Sequence, residues 1–291
     1  MSNIVDLCNA SEFDPLFICD FSPPRSGDLS KLVPSKYLGA DVISLAYSPG
    51  RSPTPDTLAL SIWIEQNTKS KSLMNIATRD MNKLAIQNKL LGAELWGLNN
   101  ILAIQGDKFT REESSMVKTV NDYSPTRLLK DINNMNQGLD FKGQKLPIPT
   151  NLCAGASMDL NKDQSIEISL THKKVFSGSK FFLTQPIFDP QKAVDFQRNY
   201  SEKYNPQRIP NVFWGIQILA QNNFSFSHIP DNLENDLNKG RSGIDIAIEQ
   251  IESLLLQKMR LIYLIPTIFP NGTRDYESAQ EVIEFFKLQS Y

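Results

Sequence analysis

Eight short apolar runs punctuate the chain: 16-LFICDF-21, 41-DVISLAY-47, 73-LMNIAT-78, 100-NILAIQ-105, 149-PTNLCAG-155, 180-KFFLTQ-185, 211-NVFWGIQI-218 and 261-LIYLIPTI-268. Most are continuous rather than alternating, the pattern of parallel strands covered on both faces. Amphipathic stretches at helical spacing lie between them. The stretch 54–68 carries Pro55 and Asp56 early, and 80–97 opens on Asp80 as an N-cap, with Leu84, Ile86, Leu90 and Leu91 gathered on one side. Similar spacing marks 125–135, 163–178, 190–204, 241–259 and 275–289, while 27–39 is interrupted by Pro34. Eight strand–helix units in 291 residues predict an α/β chain folded as a (β/α)8 TIM barrel, a fold of typically about 250 residues. A single domain over 1–291 is expected, because no linker or repeat divides the chain. An open doubly wound sheet is the alternative, but no glycine-rich phosphate loop follows the first strand. The polar stretches 108–124 and 220–242 read as long connections overhanging the catalytic face.

The first run is also the most informative chemically. Asp20 stands near its carboxyl end, and Pro23 and Pro24 then force an extended exit that cannot continue a ladder. A carboxylate there is either one half of an ion pair, with Arg25 or another cation, or a site acid at the mouth of the barrel.

Composition narrows the choices. The chain is 41% hydrophobic and 21% charged with a formal net charge of −2, which argues against a nucleic-acid partner. No apolar run approaches the roughly 20 residues that would span a bilayer. The polar, acidic start is neither a signal nor a transit peptide, so a cytoplasmic location is expected. Cys8, Cys19 and Cys153 are far apart and read as reduced and buried, and His172 and His228 lie near no cysteine, so no metal is expected.

The strand ends together form a polar, amide-rich mouth. It offers Asp20, Tyr47, Ser48, Asn75, Thr78, Arg79, Asp80, the 105-QGD-107 turn, 154-AGAS-157, 184-TQP-186 and Gln217. It holds neither a Ser/His/Asp set nor the carboxylate count of a hard-metal site. A planar heterocycle suits it better than a phosphate ester, with Tyr47 and Gln217 among the candidate substrate contacts.

The order FxxDFSPPR, DxISxxY, a segment ending TRD, NILAIQGD, TQPIFD, GIQIL and GIDIAIEQIESL resembles the methylenetetrahydrofolate reductase family from about residue 12 to 265. The pieces 21-FSPPR-25, 101-ILAIQGD-107 and 184-TQPIFD-189 carry most of the resemblance. It implies a (β/α)8 barrel that passes a hydride from NADH or NADPH, through FAD, to 5,10-methylenetetrahydrofolate, giving 5-methyltetrahydrofolate. The family's proton-donating glutamate falls on Asp20, shorter by one methylene, or about 1.5 Å of reach. Asp107 falls where the family holds the pterin edge, and Gln185 where it contacts folate. A carboxylate can accept two parallel N–H bonds from an amino-pyrimidine edge. Read as residues alone, Asp107 could instead cap the next helix, and Gln185 could bond loop backbone.

The flavin contacts implied by the resemblance fall on Asn75, Gln105, Gly106, Asp107, Tyr123, Glu167 and Lys174. Asn75 replaces a histidine and Gln105 an arginine, Ala46 and Ala77 replace threonines, and 154-AGASMD-159 lacks the family's aromatic ring and histidine. Each lost charge-assisted bond removes about 1.5–3 kcal/mol. Lys174 could also belong to an ordinary solvated helix face. Three readings follow: an FAD-dependent reductase, a flavin-free folate-binding barrel that reduces directly or transfers a methyl group, and a non-catalytic subunit of a one-carbon complex. Implied partners are a small folate and either a second copy of the chain or another one-carbon enzyme.

Overall fold

The computed structural model describes residues 2–11, 14–206 and 209–289. Eight parallel strands close a barrel in chain order: β1 (Leu16–Phe21), β2 (Val42–Leu45), β3 (Lys71–Ala77), β4 (Asn100–Ile104), β5 (Cys153–Met158), β6 (Phe181–Pro186), β7 (Asn211–Gln217) and β8 (Leu261–Ile265), with β8 returning to β1. Around them run α2 (Thr57–Asn67), α3 (Lys83–Leu95), α5 (Pro125–Asn136), α6 (Gln164–Phe176), α7 (Gln191–Tyr204), α9 (Gly243–Leu256) and α10 (Tyr276–Gln289). This is the TIM barrel that the apolar runs predict. A small antiparallel ribbon, β9 (Thr267–Ile268) with β10 (Arg274–Asp275), extends the end of β8 across the mouth.

Several boundaries differ from the sequence expectation, each for a local reason. Strand β5 begins at Cys153 rather than 149, because Asn136 takes the preceding groups first. Its side chain accepts from Thr150 Oγ1 at 2.7 Å and the Leu152 amide at 2.9 Å, and donates to the Leu152 carbonyl at 2.8 Å. Asp80 does not cap α3; Asn82 does, accepting from the Ala85 amide at 2.9 Å. The Pro34 segment forms a 3₁₀ turn over Leu29–Lys36 instead of an α-helix. The two long connections contain short helices of their own, α4 (Glu113–Met116) and α8 (Asp231–Asn238).

The sequence reading also missed α1 (Ile4–Ala10). Asn3 caps it through a reciprocal bond with Asp6, an N-x-x-D form of the capping box. Ile4 and Cys8 then plug the amino-terminal end of the barrel against Leu16, Ile18, Val42, Leu73 and Phe213. The larger apolar layer lies outside the strands, between barrel and helices. Parallel strands therefore bury both faces, which is why their runs do not alternate.

Inside the barrel the large side chains sit low and central. Phe181 on β6 lies level with Gly155 on β5, and a Cβ built on Gly155 would come within 2.3 Å of the Phe181 ring. Gly155 is thus the space that Phe181 fills. We predict that Gly155→Ala destabilises the protein by about 1–3 kcal/mol through overpacking. Chemical denaturation should show the loss, and a midpoint unchanged from wild type would refute the close fit.

Candidate functional site

Strand alternation decides which polar groups enter the mouth. On β1, Leu16, Ile18 and Asp20 point inward, while Phe17, Cys19 and Phe21 join the outer layer. The same alternation places Ser44, Asn75, Ser157, Gln185, Gln217 and Tyr263 on the inner face of their strands.

Asp20 is buried, and its Oδ1 accepts a hydrogen bond from the Tyr263 hydroxyl at 3.0 Å. Burial raises its carboxyl pKa above the ordinary range, against the opposing pull of Arg274 and of the Tyr263 bond. The nearby cation is therefore Arg274 on the β10 ribbon; Arg25 is exposed and does not pair with it. Arg274 Nη1 donates to the Gly272 carbonyl at 3.2 Å, while its Nε is buried without a hydrogen-bond partner. Above Asp20, Tyr276 stacks on Phe21 with ring centroids 5.0 Å apart. Its hydroxyl accepts from the Ser22 amide at 3.0 Å, which fixes the exit of the proline-bearing loop.

Around the rim, Ser44 Oγ donates to Asn75 Oδ1 at 3.4 Å. Gln217 is held from both ends: Nε2 donates to the Phe224 carbonyl at 2.7 Å, and Oε1 accepts from Ser225 Oγ at 3.1 Å. Its amide thus pins the connection after β7 over the mouth, where the sequence suggested a direct ligand contact. Gln185 sits at a register shift of the β6–β7 ladder between Leu183 and Pro186. Its amide makes no hydrogen bond among the described residues, so loop backbone does not claim it.

The turn after β4 brings Gly106 to φ 84°, a left-handed conformation that suits glycine. A Cβ there would also lie 3.1 Å from that of Ala77. Asp107 follows with an exposed side chain, and the next helix begins only at Glu113, so Asp107 is not its cap. Gln105 is exposed at the lip of a 220 Å³ pocket that also involves Arg79, Gly106 and Phe109.

Arg79 dominates this side. Its Nε and Nη2 grip the two Asp80 oxygens at 2.6 and 2.7 Å, and Nη1 donates to the Asp107 carbonyl at 2.6 Å. The Phe109 ring lies 4.0 Å from the guanidinium carbon. Burial, with the Asp80 carboxylate nearby, pushes the Tyr47 hydroxyl up to about 12.

The remaining positions suggested for a flavin lie apart from this cluster. Tyr123 is buried in the helical layer, where its hydroxyl donates to Asp131 Oδ2 at 2.9 Å and accepts from Gln87 at 3.3 Å. Lys174 is buried rather than solvated: its Nζ donates to the Ser157 carbonyl at 2.6 Å and lies 4.0 Å from Glu167. Burial lowers the Lys174 pKa and raises that of Glu167. Tyr263, Phe109 and Arg274 escaped the sequence reading. Tyr263 alone had a signal there, a polar tip at an inward position of an apolar run.

The architecture defines a (β/α)8 barrel with a polar, partly buried mouth in which one carboxyl, that of Asp20, is buried. Residues 9–266 match the methylenetetrahydrofolate reductase family, and the chain belongs to that family. Methylenetetrahydrofolate reductase 2 of Schizosaccharomyces pombe is 22% identical over 169 residues, covering 58% of this chain but only 26% of that relative's length. An uncharacterized protein from Clostridium thermocellum that binds two copies of 5-methyl-5,6,7,8-tetrahydrofolic acid has the same fold. Its TM-score is 0.63 at 14% identity, covering 96% of this chain and 97% of that one. Among the described residues, no helix is long and apolar enough to cross a membrane.

The raised Asp20 pKa sets a sign for stability. Below the ordinary carboxyl pKa, folded and unfolded chains both hold the proton. Between that value and the raised folded value the folded chain holds it more tightly, so stability falls as pH rises through this window. We predict that Asp20→Asn removes this decline and at neutral pH is at least as stable as wild type. Urea melts across the acid-to-neutral range test this, and a variant whose stability falls in parallel with wild type would contradict it.

Proposed function

We propose that this protein binds a reduced folate at the barrel mouth and reduces 5,10-methylenetetrahydrofolate to 5-methyltetrahydrofolate, with Asp20 as the acid. One observation carries the reading: a buried carboxyl with a raised pKa at the end of β1, at the position of the family's acid. In the reaction, Asp20 protonates N10 of the folate, and the bond from the methylene carbon to N10 breaks with its electron pair going to nitrogen. The resulting iminium at N5 accepts a hydride on that carbon. NADH or NADPH supplies the hydride and leaves oxidised; solvent returns the proton to Asp20.

Asp107 and Gln185 are the proposed pterin contacts, since neither side chain makes a hydrogen bond among the described residues and both lie at strand ends beside the mouth. The neighbour of the same fold that binds 5-methyltetrahydrofolic acid supports a folate as ligand.

FAD does not fit the residues present in the manner of the family. Gln105 carries no charge for a diphosphate, Arg79 is neutralised by Asp80 and stacked on Phe109, and Lys174 and Tyr123 are committed to Ser157 and Asp131. The proposed hydride transfer is accordingly direct from the nicotinamide. Flavin-mediated transfer is the second reading, favoured by family membership over residues 9–266 and by the Gly106–Asp107 turn.

The absorbance spectrum of the desalted protein, followed by titration with FAD and then tetrahydrofolate, separates these readings. We expect a colourless protein that binds tetrahydrofolate and is indifferent to FAD. Flavin bands that survive desalting would favour the second reading, and no folate binding at all would overturn the proposal. Asp20→Asn should lower turnover by about 10²–10⁴-fold with little change in folate affinity; wild-type turnover would remove Asp20 from the reaction. Asp107→Asn should weaken folate binding by about tenfold, the worth of a charge-assisted bond. An unaltered dissociation constant would take Asp107 out of the site.

A further inference from the structure

We propose that Tyr263 is the positioning residue for Asp20, tying one carboxyl oxygen so that the other is presented to the ligand. The inference rests on Asp20 being the acid of the proposed reaction and adds the residue that makes a shortened acid usable. Tyr263 lies level with Ile18 on β1 and Gly215 on β7, two residues deeper than Asp20. From there its side chain rises along the barrel wall, and its hydroxyl reaches Oδ1 at 3.0 Å. Gly215 beside it places no side chain in the interior. Oδ2 has no hydrogen-bond partner among the described residues, so one oxygen is tethered and one is offered.

The other groups facing the carboxyl do not perform this task. Arg274, on the ribbon, acts through its charge without forming an ion pair with Asp20. Tyr276, on α10, spends its hydroxyl on the Ser22 backbone. Cys19, the neighbour on β1, is buried, and burial raises its thiol well above the usual range. Tyr263 is thus the hydrogen-bond donor to Asp20 among the described residues. Phenylalanine would fill nearly the same space, as Phe181 and Phe213 do elsewhere in the interior. The hydroxyl is the part that packing does not need.

The test follows the Asp20 carboxyl itself. In protein labelled with ¹³C-aspartate, Asp20→Asn identifies the Asp20 resonance, whose pH titration is then read in wild type and in Tyr263→Phe. Losing the donor should move the midpoint upward. Turnover should fall by about tenfold or more at unchanged KM, the pattern of an interaction made in the transition state. Should Tyr263→Phe fail to fold, protein grown with 3-fluorotyrosine keeps the side chain's shape and strengthens the donor, and the midpoint should move downward. A midpoint that does not move overturns the pairing whatever the activity. A moved midpoint with turnover lost in Asp20→Asn but kept in Tyr263→Phe overturns the positioning role. A moved midpoint with turnover kept in both variants leaves the pairing and overturns the reaction proposed for Asp20.

Discussion

Closure of the parallel sheet is the constraint on which everything else depends. A closed barrel has no edge, so every second residue of each strand must enter an interior that water cannot freely rearrange. Low in that interior the chain supplies Leu16, Ile18, Leu73, Phe181 and Phe213, and α1 stops the amino-terminal end with Ile4 and Cys8. Apart from Asn100 at the foot of β4, which bonds the Ile4 amide and the Ser72 carbonyl, the inward polar groups named above lie at the upper level, where each must be satisfied within the protein or by a ligand. Most are satisfied internally: Asp20 by Tyr263, Asn75 by Ser44, and Gln217 by the Phe224–Ser225 segment. Gln185 and the Asp107 carboxylate make no such bond among the described residues. Unspent hydrogen-bonding capacity therefore remains at Gln185, at Asp107 and at the second carboxyl oxygen of Asp20.

The strands were legible because burial on both faces gives each an uninterrupted apolar run. The helices were legible because each buries a single stripe. What escaped was set partly by contacts remote in sequence and partly by competition between near neighbours. The start of β5 depends on Asn136, seventeen residues earlier than Cys153, and no local pattern around 149–155 encodes that competition. Asp80 reads as a helix cap until Arg79, its immediate neighbour, turns back to take both its oxygens. Asp20 was legible as a candidate acid because a carboxylate interrupts a buried run. Its partners were not, since Tyr263 and Arg274 lie more than two hundred residues away and meet it only when β8 closes on β1.

The connection after β7 shows how the barrel shapes its own entrance. Gln217, at the top of a rigid strand, holds the segment through both ends of its amide, and the Phe224 amide donates to the Ile268 carbonyl at 2.8 Å. One connection is thereby fastened to β7 and to the ribbon bearing Arg274. A rim built this way needs little ordering when a ligand arrives, which preserves binding free energy that a loose loop would lose.

The β3–β4 side of the mouth illustrates why counting charges is a poor guide to a cofactor. Next to Gly106 the family has an arginine and this chain has Gln105, yet an arginine is present nearby as Arg79. The local field is nevertheless different, because the Arg79 guanidinium is matched by the two Asp80 oxygens, capped by the Asp107 carbonyl and covered by Phe109. An internally neutralised pair offers a diphosphate little attraction, and breaking it to make room would leave Asp80 partly buried without its partner. The same logic holds at Lys174, whose ammonium is already bonded to the Ser157 carbonyl. Arg79 and Lys174 are thus both tied into the fold, while Asp20 on β1, Asp107 and Gln185 keep hydrogen-bonding capacity unspent.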